Sequence, residues 1–357
     1  MTSMYRRAIR VAGLAWLAIF GVLAGVSEAQ VTSIDVNNSS LWTTGSGAGP
    51  NSSVTYGFDY STLGVPQAPG TANTQAMILR ANVNVASGSA QGITVSPNGV
   101  SLTGDYTIRA LIWANSYGGW TTGAALTTGA GSSQMIGLGV GYTGGTQWRG
   151  GSAATAPGGG SGIWFAAAGD GGFGGSSNTI RDYSAFTGSG ASLANFVTNT
   201  TAYFANASGA TPQDNNNAYY QTAFPGPLVN SINSGTWATV QNQTVTTGTI
   251  TNGIAGMAWR EFTIVRSGST VTWSIDSTPI ATLSGTGLNG VSPDGATSLT
   301  YFDPTTSVAE VDRVFGLVAG YSVEVVPEPS SMLLAAAGLA GGAATYRLRR
   351  RRRVVRG

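Results

Sequence analysis

The chain has 357 residues, of which 53 are Gly and only 9% are charged, against about 25% in an ordinary soluble domain. Its 17 basic residues are all Arg, and the absence of Lys, His and Cys excludes Ser-His-Asp and thiol catalysis, Schiff-base chemistry, disulfide frameworks and zinc sites built on imidazole or thiolate. The net charge of +2 belongs to the two ends: residues 30–326 hold seven Arg against thirteen acids, a net of −6, and such a body is a poor partner for nucleic acid.

Arg6, Arg7 and Arg10 precede an apolar stretch over residues 11–26, and Ser27-Glu28-Ala29 sets small residues three and one positions before Gln30. This is the layout of an export signal, with a positive start, an apolar helix and a small-residue cleavage site. It predicts a signal helix over residues 1–29, removed by signal peptidase between Ala29 and Gln30. A chain without cysteine suits export, because its folding needs no oxidation.

From Gln30 to residue 326 the chain reads as one extracellular all-β body, with short alternating runs between clusters of Gly, Asn, Ser and Thr. Expected strands, in order, are 53–60, 76–85, 105–113, 135–142, 162–168, 237–250, 259–266, 270–276, 298–302 and 314–325. In 105–113 the even positions Tyr106, Ile108, Ala110 and Ile112 form one apolar face. Thr107 and Arg109 point the other way, but Leu111 and Trp113 share their side, so that side is not wholly exposed. Residues 118–175 carry 21 Gly in 58 positions, and such density disfavours regular structure. They read as a long Gly-rich surface loop region interrupted by two short strands. Gly139-Val-Gly-Tyr-Thr-Gly144 matches G-x-G-x-x-G by letter, but no helix can follow it, so it is no dinucleotide site.

Within the Gly-rich region, Trp120 follows two glycines, Trp148-Arg149 is enclosed by Gly pairs, and Asp170 lies in a third Gly cluster. An indole stacks on the apolar face of a sugar ring while Arg, Asp and Asn bond its hydroxyls, so Trp120, Trp148, Arg149 and Asp170 are the candidate glycan-binding residues. The competing reading is that these Trp fold back over the core. Asp276, Asp294 and Asp303 offer oxygen ligands for a structural Ca2+, but without a dense D-x-D-x-D run they are read as turn caps and no cofactor is assigned.

The clearest hairpin runs from Phe262 to Asp276. Phe262 and Ile264 face the core on one arm, Val271, Trp273 and Ile275 on the other, and Ser267-Gly268 makes the turn. With Asp276-Ser-Thr-Pro-Ile280 after it, this hairpin resembles the penultimate hairpin of concanavalin A-like and laminin G-like jelly rolls. The resemblance implies a two-sheet sandwich over residues 50–326. Laminarinase-type hydrolases share that fold and use two Glu around a Glu-x-Asp motif. Here Glu310-Val-Asp312 keeps half of it, with Val314 and Phe315 where the second Glu belongs, so no catalytic residue is assigned.

At the end of the chain, Pro327-Glu328-Pro329 precedes an apolar run over 332–346 and then Arg347-Leu-Arg349 with four further Arg to Arg353. Two prolines keep the first part extended and open to an enzyme. Fifteen apolar residues make a short transmembrane helix of about 22 Å, and the Arg cluster holds its end on the cytoplasmic side. This layout, over 327–357, resembles the PEP-CTERM sorting signal. The resemblance implies recognition at Pro327-Glu328-Pro329 by an exosortase, loss of the membrane helix, and delivery to the cell surface, outer membrane or extracellular matrix. Together these features predict an exported, non-catalytic protein, transiently anchored in the inner membrane, that binds extracellular polysaccharide. A structural coat or adhesive role without a ligand site is the alternative, and a glycoside hydrolase a distant third.

Overall fold

The computed structural model of the protein describes residues 29–81, 91–115, 134–147, 160–169, 181–188, 195–196, 203–204, 213–226, 252–304 and 314–326. The sandwich unit is Val31–Glu324, and the two ends form a separate unit whose described part is residues 29–30 and 325–326. Among the described residues no helix is long and apolar enough to cross a membrane; the expected signal helix and the apolar run 332–346 lie outside them.

The strands, in chain order, are β1 (Gln30–Ser33), β2 (Trp42–Thr44), β3 (Ser53–Asp59), β4 (Gln75–Arg80), β5 (Gln91–Pro97) and β6 (Asp105–Asn115). There follow β7 (Met135–Tyr142), β8 (Gly162–Ala168), β9 (Tyr183–Gly188), β10 (Asn195–Phe196) and β11 (Tyr203–Phe204). The last five are β12 (Trp259–Ser267), β13 (Thr270–Ile275), β14 (Thr278–Ser284), β15 (Ala296–Asp303) and β16 (Phe315–Val326), and a short helix covers Ala218–Ala223. One sheet has nine strands in the order β11-β14-β13-β12-β6-β16-β4-β3, with β1 also paired to β16. The other has seven, in the order β10-β9-β8-β7-β15-β5-β2.

Alternation explains how the two sheets meet. On the nine-stranded sheet Ile108, Ala110, Ile112, Phe262, Ile264, Val271, Trp273 and Ile275 are buried on one face. They pack against Ile136, Leu138, Val140, Ile163, Phe165, Leu299 and Tyr301 of the seven-stranded sheet, with Trp273 stacked on Phe165 at 5.4 Å between ring centroids. Face-to-face packing of two antiparallel sheets defines a β-sandwich. The hairpin register is as its period of two demands, with Phe262 opposite Ile275 and Ile264 opposite Trp273. Its turn is the pair Gly268–Ser269 between the partners Ser267 and Thr270, one residue later than the sequence suggests, and Gly268 takes φ 57° there.

The two strands expected to interrupt a surface loop have the expected bounds but a different setting. Both β7 and β8 are buried at every position and run through the middle of the seven-stranded sheet. Their glycines permit close approach: a Cβ at Gly137 would lie 1.7 Å from the Phe165 carbonyl oxygen. The expected strand 237–250 lies outside the described residues.

The outward side of β6 is half covered, as its sequence requires. Trp113 packs there with Tyr60, Leu63, Val65, Ile78, Ile254, Met257, Phe315 and Leu317 in a second apolar cluster, with Leu111, Trp259 and Ala319 at its margin. Along β16 the residues facing the main core are Val318, then Tyr321 and Val323, while Phe315, Leu317 and Ala319 face outward. The alternation therefore slips by one across Ala319–Gly320, as at a β-bulge. Before the slip β16 pairs with β4 through Gly316–Val318; after it the Ile34 amide donates to the Tyr321 carbonyl at 2.9 Å.

Candidate functional site

Trp120, Trp148, Arg149 and Asp170 lie outside the described residues, as do Glu310, Asp312 and Pro327-Glu328-Pro329, whereas Ala29 and Gln30 stand at the entry to β1. The described residues flanking the four glycan candidates are tightly held. The carbonyl of Ala114, one residue before the end of β6, accepts from the Met257 amide at 2.9 Å. Gly256 abuts Gly169, where a Cβ would sit 2.0 Å from the Gly169 carbonyl oxygen. The Gly169 amide in turn donates to the Gln134 carbonyl at 3.4 Å. The flanks of Trp120 and Asp170 thus meet at one end of β7 and β8.

Gln147, immediately before Trp148, is buried and fixed by both backbone and side chain. Its amide donates to Thr94 Oγ1 at 2.7 Å, its Nε2 to the Ser161 carbonyl at 2.6 Å, and its Oε1 accepts from Ser298 Oγ at 2.5 Å. Thr94 pairs with Thr300, which pairs with Gly137, and Ser298 pairs with Gly139. The chain after β7 therefore turns back over the outward face of the seven-stranded sheet, toward the end where Gln134 and Gly169 meet.

A different site, missed in the sequence, opens on the outward face of the nine-stranded sheet. It is a cleft of about 500 Å3 walled by residues 33–37 on one side and by Arg109, Leu111 and Glu261 on the other, with Ala319–Ser322 beneath. Its polar centre is Arg109, whose Nη1 donates to Glu324 Oε2 at 2.8 Å and whose Nε lies 4.0 Å from Glu261 Oε1. The side chains of Arg109 and Glu261 are 39% and 50% exposed, so this is a solvent-facing pair worth at most about 1 kcal/mol and able to exchange partners. Residues 34–37 are pinned: Val36 is buried, Asp35 Oδ1 accepts from the Asn37 amide at 2.8 Å, and Trp42 Nε1 donates to the Asp35 carbonyl at 3.0 Å. No spacing signal joins Arg109, Glu261 and Glu324; the one hint was an Arg on the outward face of a strand that also carries Leu111 and Trp113.

The candidate Ca2+ ligands stand apart. Asp276, at φ 48° in the turn after β13, accepts from Arg260 Nη1 and from the Glu261 amide, both at 2.8 Å. Asp294 pairs with Arg266 and accepts from Ser292 Oγ at 3.1 Å. Arg266 holds the Asp294 carboxyl below the usual carboxylate range, helped by Ser292. Asp303 is buried at the end of β15, opposite Gln91. Among the described residues no three Asp or Glu gather into a metal-binding group.

Comparison with known proteins adds the sorting signal. The PEP-CTERM protein-sorting motif matches residues 325–352, starting on the last two residues of β16. No curated protein matches the sequence. Among solved structures the chain is similar to a carbohydrate binding module from Bacillus subtilis, at 9% identity and TM-score 0.33, over 80% of this chain and 96% of that one. It is similar to a Bacillus subtilis protein of unknown function with a galectin-like fold, at 8% identity and TM-score 0.38, over 84% and 100%. It is also similar to the Ca2+/Man-bound exoplasmic/lumenal domain of VIP36, at 8% identity and TM-score 0.38, over 84% and 93%. The two packed sheets themselves make the class an all-β sandwich. This particular chain is such a sandwich with a PEP-CTERM sorting signal at the end of its last strand.

Proposed function

We propose that this is an exported protein of the cell surface or extracellular matrix that binds polysaccharide without transforming it. The single observation that carries the address is the sorting motif at 325–352, with Pro327-Glu328-Pro329 as the processing site for an exosortase. Export signal peptidase acts first, between Ala29 and Gln30. Exosortase then frees the body from the inner membrane.

Glycan binding is assigned to Trp120, Trp148, Arg149 and Asp170. What supports this is the anchoring of their described neighbours: Gln147, pinned over the middle of the seven-stranded sheet, and the Gln134–Gly169 contact, at one end of β7 and β8, give the segments that carry them firm ends. Binding sites gain from such support, because pre-ordered side chains lose less entropy when a ligand arrives. The body carries no Lys, His or Cys for covalent or imidazole chemistry. A glycan array tests the reading: the intact protein should bind, and Trp120→Ala and Trp148→Ala should each lower that signal, whereas a signal unchanged in both removes these residues from the site. An array blank with and without Ca2+ refutes it and leaves a structural coat protein.

A further inference from the structure

We infer that the cleft between residues 33–37 and strands β6, β12 and β16 is a second saccharide site, selective for a neutral sugar unit over a uronate. It extends the glycan-binding reading to a place that the sequence did not mark, and it does not depend on Trp120 or Trp148.

The size and floor of the cleft suit a sugar ring. Its volume of about 500 Å3 lies within the 300–1,000 Å3 of small-molecule sites. Ala319 in the floor and Leu111 in the wall give the cleft an apolar surface beside the margin of the second cluster, and Gly320 leaves the floor low, since a Cβ there would only touch Leu111 Cβ at 3.6 Å. A pyranose presents a face of C–H groups to such a surface and points its hydroxyls to the sides.

The rim supplies what hydroxyls require. Each hydroxyl both donates and accepts, so the site needs both kinds of partner. Arg109 has five N–H donors and the close contact to Glu324 uses one of them. Glu261 and Asp35 are acceptors, and Ser33 and Ser322 are both. Asn37 also lines the cleft.

Charge decides the class of sugar. Arg109 stands among Glu261, Glu324 and Asp35, so the rim carries more negative than positive charge. A uronate or sulfated chain would bring its anion against these carboxylates, and like charges brought together cost affinity. A cation finds no three-carboxylate cage, and a wholly apolar ligand would strand the polar rim. A neutral polyol satisfies both floor and rim.

The test is calorimetric titration of the protein purified from its producing cells with neutral gluco- and manno-oligosaccharides and with oligomannuronate. The proposal expects neutral oligomers to bind at least tenfold more tightly than the uronate, including in the Trp120→Ala/Trp148→Ala variant. Gly320→Val, which fills the floor, and Glu261→Gln, a half-exposed change that leaves the core intact, should each weaken that binding tenfold or more. Binding unchanged by both cleft variants but lost in the Trp variant overturns the second site and leaves the loop site standing. Uronate binding as tight as neutral binding overturns the selectivity. No binding of any saccharide overturns both readings together.

Discussion

Trp113 and Trp259 lie opposite each other on adjacent strands, with ring centroids 5.9 Å apart, on the side of the nine-stranded sheet that turns away from the main core. Tyr60 packs 5.3 Å from the Trp259 ring, and the Trp259 Nε1 donates to the Pro66 carbonyl at 2.7 Å. These contacts bind the segment after β3 to the outward face. Removing the fully buried Trp113 side chain is expected to cost about 3–5 kcal/mol, through lost burial and a residual cavity. Val265→Ala, on the same strand pair but exposed, should stay within about 0.5 kcal/mol. Urea denaturation of the two variants checks the contrast, and equal losses would contradict a second core.

Glycine has two separate roles here, and substitution separates them. At Gly137 the obstacle is space, because the neighbouring strand's backbone occupies the position of a Cβ. Gly137→Ala is expected to block folding or lower the melting temperature by more than 10 °C, since backbone on both strands would have to move. At Gly268 there is open space but φ is 57°, so Gly268→Ala should cost only about 1–2 kcal/mol, the usual penalty for a left-handed residue. Thermal melts followed by circular dichroism distinguish the two; a mild effect at Gly137 would contradict the packed central position of β7.

The pH profile follows from composition and from two sets of groups. The chain has no His or Cys, so no side chain has an ordinary pKa between about 5 and 8, and stability should be flat there. Asp294 is held low by Arg266, so its pairing contributes fully above the unfolded value of about 3.9 and is lost as pH falls below that through the folded value. Burial pushes the Tyr142 hydroxyl up to about 12 and raises Tyr106, Tyr183, Tyr220 and Tyr321 as well. Their contribution is intact below the unfolded value of about 10 and is lost as pH climbs past it. Absorbance at 295 nm should show these tyrosines ionising together with unfolding. Asp294→Asn should make the acid limb shallower. Gradual ionisation before unfolding would contradict their burial.

The sandwich was legible wherever one side of a strand is apolar and the other polar. Phe262 to Ile275 shows that pattern on both arms, and its register followed from it. The bounds of β7 and β8 were legible too, but their central place was hidden, because glycines that let strands approach look the same in sequence as glycines that loosen a loop. Strand β5 was missed because Thr94 and Ser96 on its outward side are buried, Thr94 against Gln147. Strand β14 was missed because Pro279 breaks the expected pattern at a bulge opposite Trp273 and Ser274. The cleft was hidden for a topological reason: Arg109 and Glu324 are 215 residues apart in sequence and meet only because β6 and β16 are neighbours.

The central claim is that both ends of the chain are removed on the way to the surface. Intact-mass analysis of the protein recovered from producing cells and their medium tests it most directly. The account predicts a mature species that begins at Gln30 and ends between Pro327 and Ser330. Full-length protein persisting in the membrane, with its arginine tail attached, would contradict it.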